Sequence, residues 1–159
     1  SVHSKNFDEI DPEKYQEFLS EISNDQAEYV VLDAYIEHDL KDFEGEEREE
    51  LREEFGSSDG GINDLITKSY ALLRLISFFT TGEKESRAWT FHAGSNAPEC
   101  AGRIHGDFQR GFIKAEVIHW DELLQIGSWS KAKELGKIRI EGKDYHPVDG
   151  DVMEFRFNV

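Results

Sequence analysis

The chain has 159 residues, a length for one full-sized domain or two small ones. Its single cysteine, Cys100, excludes an internal disulfide and every multi-cysteine zinc pattern. Eighteen Lys and Arg stand against 34 Asp and Glu, a net charge of −16, so adhesion of the whole surface to phosphate backbones by charge alone is excluded. The acidity is uneven: residues 1–75 carry seven basic and 21 acidic side chains, residues 76–159 carry 11 and 13. The second half is close enough to balance to meet phosphates locally. No apolar run approaches the ~20 residues of a spanning helix, and no charged-then-apolar leader opens the chain. A soluble, cytoplasmic protein with no membrane contact is expected. The start, Ser1-Val2-His3-Ser4, has no initiating Met and reads as part of something longer.

In chain order, Asp11-Pro12 is a helix start, with Asp as the cap and Pro in the first helical position. Tyr15, Phe18, Leu19 and Ile22 follow at helical spacing. Glu28 to Leu32 reads as a short buried strand, and strand alternating with helix points to the edge of an α/β layer. Residues 44–55 predict a highly acidic helix with one narrow apolar edge, Leu51 and Phe55. That helix is a solvated face or, in the sharper reading, a dock for a cation or basic protein. After a loop over 56–61, Ile62, Leu65, Ile66, Leu72, Leu73 and Ile76 predict one long amphipathic helix. Gly82 breaks the chain.

Beyond it, Arg87 to Phe91 predicts a strand and Ala97 to Ala101 a short helix. Phe112 to Trp120 predicts a strand, followed by helical pieces at Asp121–Gln125 and Ser130–Leu135. Lys137–Ile140 and Tyr145–Val148 flank Gly142-Lys143 as strands. Val152, Phe155 and Phe157 lie in a last strand after the turn Asp149-Gly150-Asp151. The order β, helix, β, helix, β, β over about 80 residues fits a sheet with a helix across one face, with a ubiquitin-like β-grasp as the natural candidate.

Catalytic patterns are missing from the sequence. There is no G-x-x-x-x-G-K-[ST], no G-x-S-x-G and no H-E-x-x-H, and the six histidines do not pair at ligand spacing. Cys100 reads as an inert helix residue, His105 as a capping or core-edge histidine, and Trp129 as a core or hinge residue. Asn6-Phe7-Asp8-Glu9 stands apart. An Asn amide donates and accepts at once, and a nearby carboxylate accepts from an exocyclic amine, so the run suits reading a base edge; it equally suits a strand-end loop with first-turn acids. Lys131, Lys133, Lys137, Arg139 and Lys143 put five positive charges into 13 residues, against Glu134 and Glu141. They read as a mixed surface or as a contact for RNA phosphates.

The second half carries a specific likeness. Phe79-Thr-Thr-Gly-Glu-Lys-Glu-Ser-Arg-Ala-Trp-Thr90, Ala97-Pro-Glu-Cys-Ala-Gly-Arg-Ile-His-Gly-Asp-Phe-Gln-Arg-Gly-Phe-Ile-Lys-Ala-Glu-Val117, Glu141-Gly-Lys-Asp-Tyr145 and Asp149-Gly-Asp-Val-Met-Glu-Phe-Arg-Phe-Asn-Val159 run in the order of the C-terminal domain of the YchF/Obg-like ATPase family. That domain is the TGS module, a β-grasp fold also present in threonyl-tRNA synthetases and stringent-response enzymes. The first half resembles the same family in order. Asn6-Phe7-Asp8-Glu9 matches its Asn-x-x-Glu base-specificity loop, and Asp33-Ala34-Tyr35 falls where related GTPases have Ser/Cys-Ala-x, with Asp33 departing from that pattern.

The resemblance implies an α+β chain: the C-terminal piece of an α/β P-loop nucleotide-binding domain with connector helices over 1–75, then a ubiquitin-like β-grasp (TGS) domain over 76–159. It implies a parent that hydrolyses ATP, a monomer that associates with ribosomal RNA or protein. Asn6, Phe7 and Glu9 then contact the base of ATP, and Mg²⁺ is bound by a P-loop upstream of this chain. This chain alone is expected to hydrolyse nothing. The alternative is a non-catalytic TGS module that binds RNA or the ribosome and has no nucleotide role.

Overall fold

A computed structural model describes residues 11–24, 29–30, 32–55, 61–82 and 85–158. The chain divides into two compact units, Ser1–Ser69 and Tyr70–Val159.

Among its described residues the first unit contains helices and no strand. Helix α1 spans Pro12–Asn24 and begins as its sequence predicts: the Asp11 carboxylate accepts from the Glu13 N–H at 3.0 Å. Helix α2 spans Ala34–Asp39 and runs into a single 3₁₀ turn over Leu40–Asp42. The strand expected over 28–32 does not form in its described part, Tyr29, Val30 and Leu32. A strand needs a neighbour for its N–H and C=O groups, and the described residues of this unit offer none.

Helix α3, Gly45–Glu54, is the acidic helix, but its expected apolar edge is not its anchor. Phe55 is 53% exposed, whereas Arg52 is 2% exposed and ion-paired with Glu37 of α2. Arg48, four residues earlier on the same face, donates to the other oxygen of Glu37 at 2.8 Å. A buried charge persists only when paired, and α2 supplies the pair. Gly61 completes this packing. Its φ of +54° suits glycine, and a Cβ there would run into the Arg52 guanidinium.

Helix α4 spans Gly61–Leu72 and stops four residues short of the Ile76 expected from its apolar spacing. Arg74 adopts φ +52°, and strand β1, Leu75–Thr81, begins at once. The sequence hides β1 because it is covered on both sides. Phe78 and Phe79 enter different apolar clusters, so the strand reads as a continuous run without alternation.

The second unit is built on one five-stranded sheet of order β2-β1-β5-β3-β4. Strand β2, Ser86–His92, forms an antiparallel hairpin with β1. Helices α5, Ala97–Ile104, and α6, Gly106–Arg110, lead to β3, Phe112–His119. Helices α7, Trp120–Ile126, and α8, Trp129–Glu134, lead to the short edge strand β4, Arg139–Glu141. Strand β5, Asp151–Phe157, returns to the middle, parallel to β1 and antiparallel to β3. The observed order is therefore β, β, α, α, β, α, α, β, β, and the expected sequence of elements is corrected at β1, at α6 and at Tyr145–Val148. That last segment is no strand, because its backbone is used otherwise. The Tyr145 carbonyl accepts from Ala97 N–H, Pro147 has no N–H, and the Val148 N–H donates to the Asp151 side chain.

Alternation along the strands builds a core on each face. Phe78, Phe91, Ala115, Val117, Met153 and Phe155 pack on one side with Ala97, Cys100 and Ala101 of α5. Phe79, Ile118 and Val152 pack on the other, under Leu123, Ile126, Trp129 and Ala132 of α7 and α8. Trp129 packs against this second core, one of the two roles expected of it.

Candidate functional site

Asn6, Phe7 and Glu9 lie outside the described residues. Asp33, the departure from the second base-contacting pattern, caps α2: one of its carboxylate oxygens accepts from the Tyr35 and Ile36 N–H groups at 2.9 and 3.1 Å. That oxygen's acceptor capacity goes to the helix start.

The five cations of residues 131–143 spread around α8 and β4, and three have carboxylate partners. Lys133 donates to Glu116 Oε2 at 2.9 Å, Lys137 meets Glu122 at 3.0 Å, and Arg139 meets Asp151 at 3.2 Å and Glu141 at 3.5 Å. Lys131 and Lys143 have no carboxylate within ion-pair reach among the described residues.

Arg139 belongs to a buried knot. Asp151 is fully buried; Tyr145 OH donates to its Oδ2 at 2.6 Å, the Val148 N–H donates to the same oxygen at 3.0 Å, and Arg139 takes Oδ1. The guanidinium lies over the Tyr145 ring, 5.4 Å from its centroid. Burial, then the Asp151 carboxylate, push the Tyr145 phenol up to about 12. The adjoining turn is fastened on both sides. Asp149 Oδ1 accepts from the Ser77 N–H at 2.8 Å, and Gly150 exchanges bonds with Ser77 and Trp120. Gly150 has φ +87°, and a Cβ there would lie 2.5 Å from Trp120 Cδ1. Asp149-Gly150-Asp151 is thus a structural turn, as its sequence predicts. His119 braces it: Nδ1 lies 2.6 Å from Asp121 Oδ1 and Nε2 lies 3.1 Å from the Asp149 carbonyl oxygen. Hydrogen bonding to Asp121, aided by Asp149, raises the His119 pKa above its ordinary value.

The strongest gathering of cations involves two residues that sequence reasoning missed. Glu116 is 5% exposed, on the sheet face that α8 partly covers. Besides Lys133, it has Lys114 Nζ at 3.7 Å and Arg156 Nε at 3.8 Å, both on Oε1. The Lys133 hydrogen bond holds its carboxyl below the usual carboxylate range. The alternations Lys114-x-Glu116 and Glu154-x-Arg156 were readable as one face of each strand. Only the register, which sets Lys114 opposite Arg156 and Glu116 opposite Glu154, brings them together.

Other sequence candidates have structural duties. Cys100 is buried, and burial pushes its thiol up to about 12. His105 caps α6, its Nδ1 accepting from the Asp107 N–H at 3.2 Å. An open groove beside α3, lined by Glu46, Glu49, Glu50 and Glu53, is an acidic surface, and no group of three or more His, Cys, Asp or Glu among the described residues is placed to hold a metal ion. No helix among the described residues is long and apolar enough to cross a membrane.

Residues 75–158 match the family model YchF-GTPase_C, described as "Protein of unknown function (DUF933)". Over 86% of this chain the sequence is 51% identical to the ribosome-binding ATPase YchF of Bacillus subtilis, covering 37% of that protein. Over 99% of it the sequence is 44% identical to the protein of the same name from Haemophilus influenzae, covering 44% of that one. The chain thus spans less than half the length of these relatives. The structure of the Schizosaccharomyces pombe YchF GTPase superposes on 91% of this chain and 38% of its own, with a TM-score of 0.76 and 29% identity. The matched region coincides with β1 to β5, and the chain belongs to the YchF family, represented here by its C-terminal region.

Proposed function

We propose that this chain works as the C-terminal part of a ribosome-associated ATPase, with residues 76–159 as a TGS-type β-grasp module that docks on ribosomal RNA. The observation that carries this reading is the family match over 75–158, together with relatives named ribosome-binding ATPases. The strand order, with an outer hairpin and a parallel central pair, is the arrangement a ubiquitin-like β-grasp uses, which supports assigning the module.

The nucleotide role is divided. Asn6, Phe7 and Glu9 supply the base contacts, with ATP preferred to GTP. The described residues do not fit the rest of the group: the sequence contains no phosphate-cradling G-x-x-x-x-G-K-[ST], and one carboxylate oxygen of Asp33 is taken by its helix cap. The triphosphate and Mg²⁺ are therefore assigned to parts of the whole protein outside this chain, which serves in a monomer in the cytoplasm.

Co-sedimentation of the 159-residue chain with purified ribosomes tests the reading. It is expected to pellet with them and to be released by salt. A chain that stays in the supernatant at micromolar concentrations and low salt would overturn it.

A further inference from the structure

We infer that Lys114, Lys133 and Arg156, gathered around the buried Glu116, form the surface through which this chain grips the phosphate backbone of RNA. The inference rests on the RNA-docking reading above and assigns it a place. Glu116 needs one good partner to be held ionised, and Lys133 at 2.9 Å is that partner. Lys114 and Arg156 add little to its satisfaction. At 3.7 and 3.8 Å they are beyond hydrogen-bond distance from it, and the Lys114 ammonium has no acceptor among the described residues. Their side chains are 38% and 47% exposed, so the Lys114 ammonium and the part of the Arg156 guanidinium not paired with Glu154, whose Oε1 lies 3.0 Å from Nη2, face solvent.

The pair is also locally unfavourable. Lys114 stands directly opposite Arg156 across β3 and β5, and like charges opposite each other destabilise a sheet. Such a conflict between local and global preference marks a functional position. Glu116 Oε1, at 3.7 and 3.8 Å from the two, offsets part of it, and a phosphate oxygen between the cations relieves the rest.

The surroundings decide which anion. Three cations against Glu116 and Glu154 leave this patch positive in a chain of net charge −16. Across β1 and β2 the same face continues with Ser77, Thr81, Ala88 and Thr90 on either side of Phe79, which packs under α7 and α8. Three partly exposed cations set along one end of this face suit an extended polyanion, each meeting one of its successive phosphates.

The test uses the 159-residue chain with purified ribosomes and with protein-free ribosomal RNA extracted from them, at several salt concentrations. The main variant is Lys114→Gln/Arg156→Gln. It leaves the Lys133–Glu116 bond in place, so unchanged thermal unfolding confirms the fold. Lys131→Gln/Lys143→Gln removes the same charge elsewhere. Each phosphate contact contributes about 0.7 to 0.9 to the salt slope, so losing two should lower it by about 1.4 to 1.8 and weaken binding about 25- to 60-fold at 0.1 M salt. The comparison pair should change binding less than about threefold. Loss on both ribosomes and bare RNA, confined to the first pair, supports the site. Loss on ribosomes alone assigns the patch to an acidic ribosomal protein and overturns the RNA contact. Equal effects of the two pairs, or an effect of the second alone, overturn the site while RNA docking stands. Failure of the unaltered chain to bind either probe overturns the docking reading itself.

Discussion

Replacing Asp151 with Asn keeps shape and volume but removes one charge and converts one acceptor into a donor. The geometry dictates how the amide must sit. The Tyr145 hydroxyl and the Val148 N–H both point at Oδ2, so the amide oxygen stays there, and the NH₂ group then faces the Arg139 guanidinium at the 3.2 Å now spanned by the ion pair. Two donors confront each other beside a buried turn. A hydrogen bond to a charged group contributes about 1.5–3 kcal/mol and a buried unsatisfied group costs about 1–3 kcal/mol. Arg139 is 49% exposed, so water re-solvates part of it and the sum falls toward the lower end, about 2–3 kcal/mol. For a unit of about 90 residues that is a fall in Tm of about 10–20 °C. Tyr145→Phe, which removes a single donor to Oδ2, should cost about 1.5 kcal/mol. Because the two residues share one network, the double variant should cost less than the two singles together. Thermal and urea unfolding at pH 7, followed by tryptophan fluorescence and far-ultraviolet circular dichroism, measures all three. An Asp151→Asn protein within 0.5 kcal/mol of the unaltered chain would refute the reasoning.

The His119 clamp faces acceptors on both nitrogens and so favours the imidazolium. Its pKa is raised above the ordinary value of 6.5, so its stabilisation is complete below that value and is lost as pH rises through the folded-state pKa. Urea midpoints should fall on this alkaline side and cease to do so in His119→Gln; parallel profiles for the two proteins would exclude the clamp. Glu116 acts in the opposite sense: its lowered pKa gives stability above the usual carboxylate range that is lost as pH falls through the folded value, and Glu116→Gln should flatten that acid limb in the same titration. Cys100, with its thiol near 12, should resist thiol reagents at pH 8 in the folded protein and react only as fast as the unit opens; rapid labelling would contradict its burial. On the proposed base-reading role of Glu9, Glu9→Asp in the whole protein should weaken a preference for ATP over GTP, because a polar base reader discriminates by leaving its own groups unpaired on the wrong base. Equal preference before and after the change, in competition binding, would remove Glu9 from that role.

What could be read in the sequence is what neighbouring residues settle among themselves. Asp11-Pro12 opens α1, and the alternating β-formers from Arg87 to Phe91 make β2, because a cap and a two-residue period act over a few residues. His105 and Cys100 were legible for the same reason, and the order of the family's motifs pointed to YchF before any fold was in view. Tertiary structure decided whatever depends on a partner distant along the chain. The 28–32 segment has strand composition, but its described residues Tyr29, Val30 and Leu32 find no strand to pair with among the described residues of their unit. Strand β1 has no alternation because Phe78 and Phe79 are claimed by opposite cores. Arg52 belongs to a helix whose sequence reads as a charged face with one apolar edge at Leu51 and Phe55, and its pairing with Glu37 from α2 explains its burial. In sequence Lys133 is one of five cations that read as a mixed surface or an RNA contact. The packing of α8 over β3 takes it to Glu116, and the pairing of β3 with β5, some 40 residues apart, sets Lys114 against Arg156, since register is a property of two strands and neither strand's own sequence contains it.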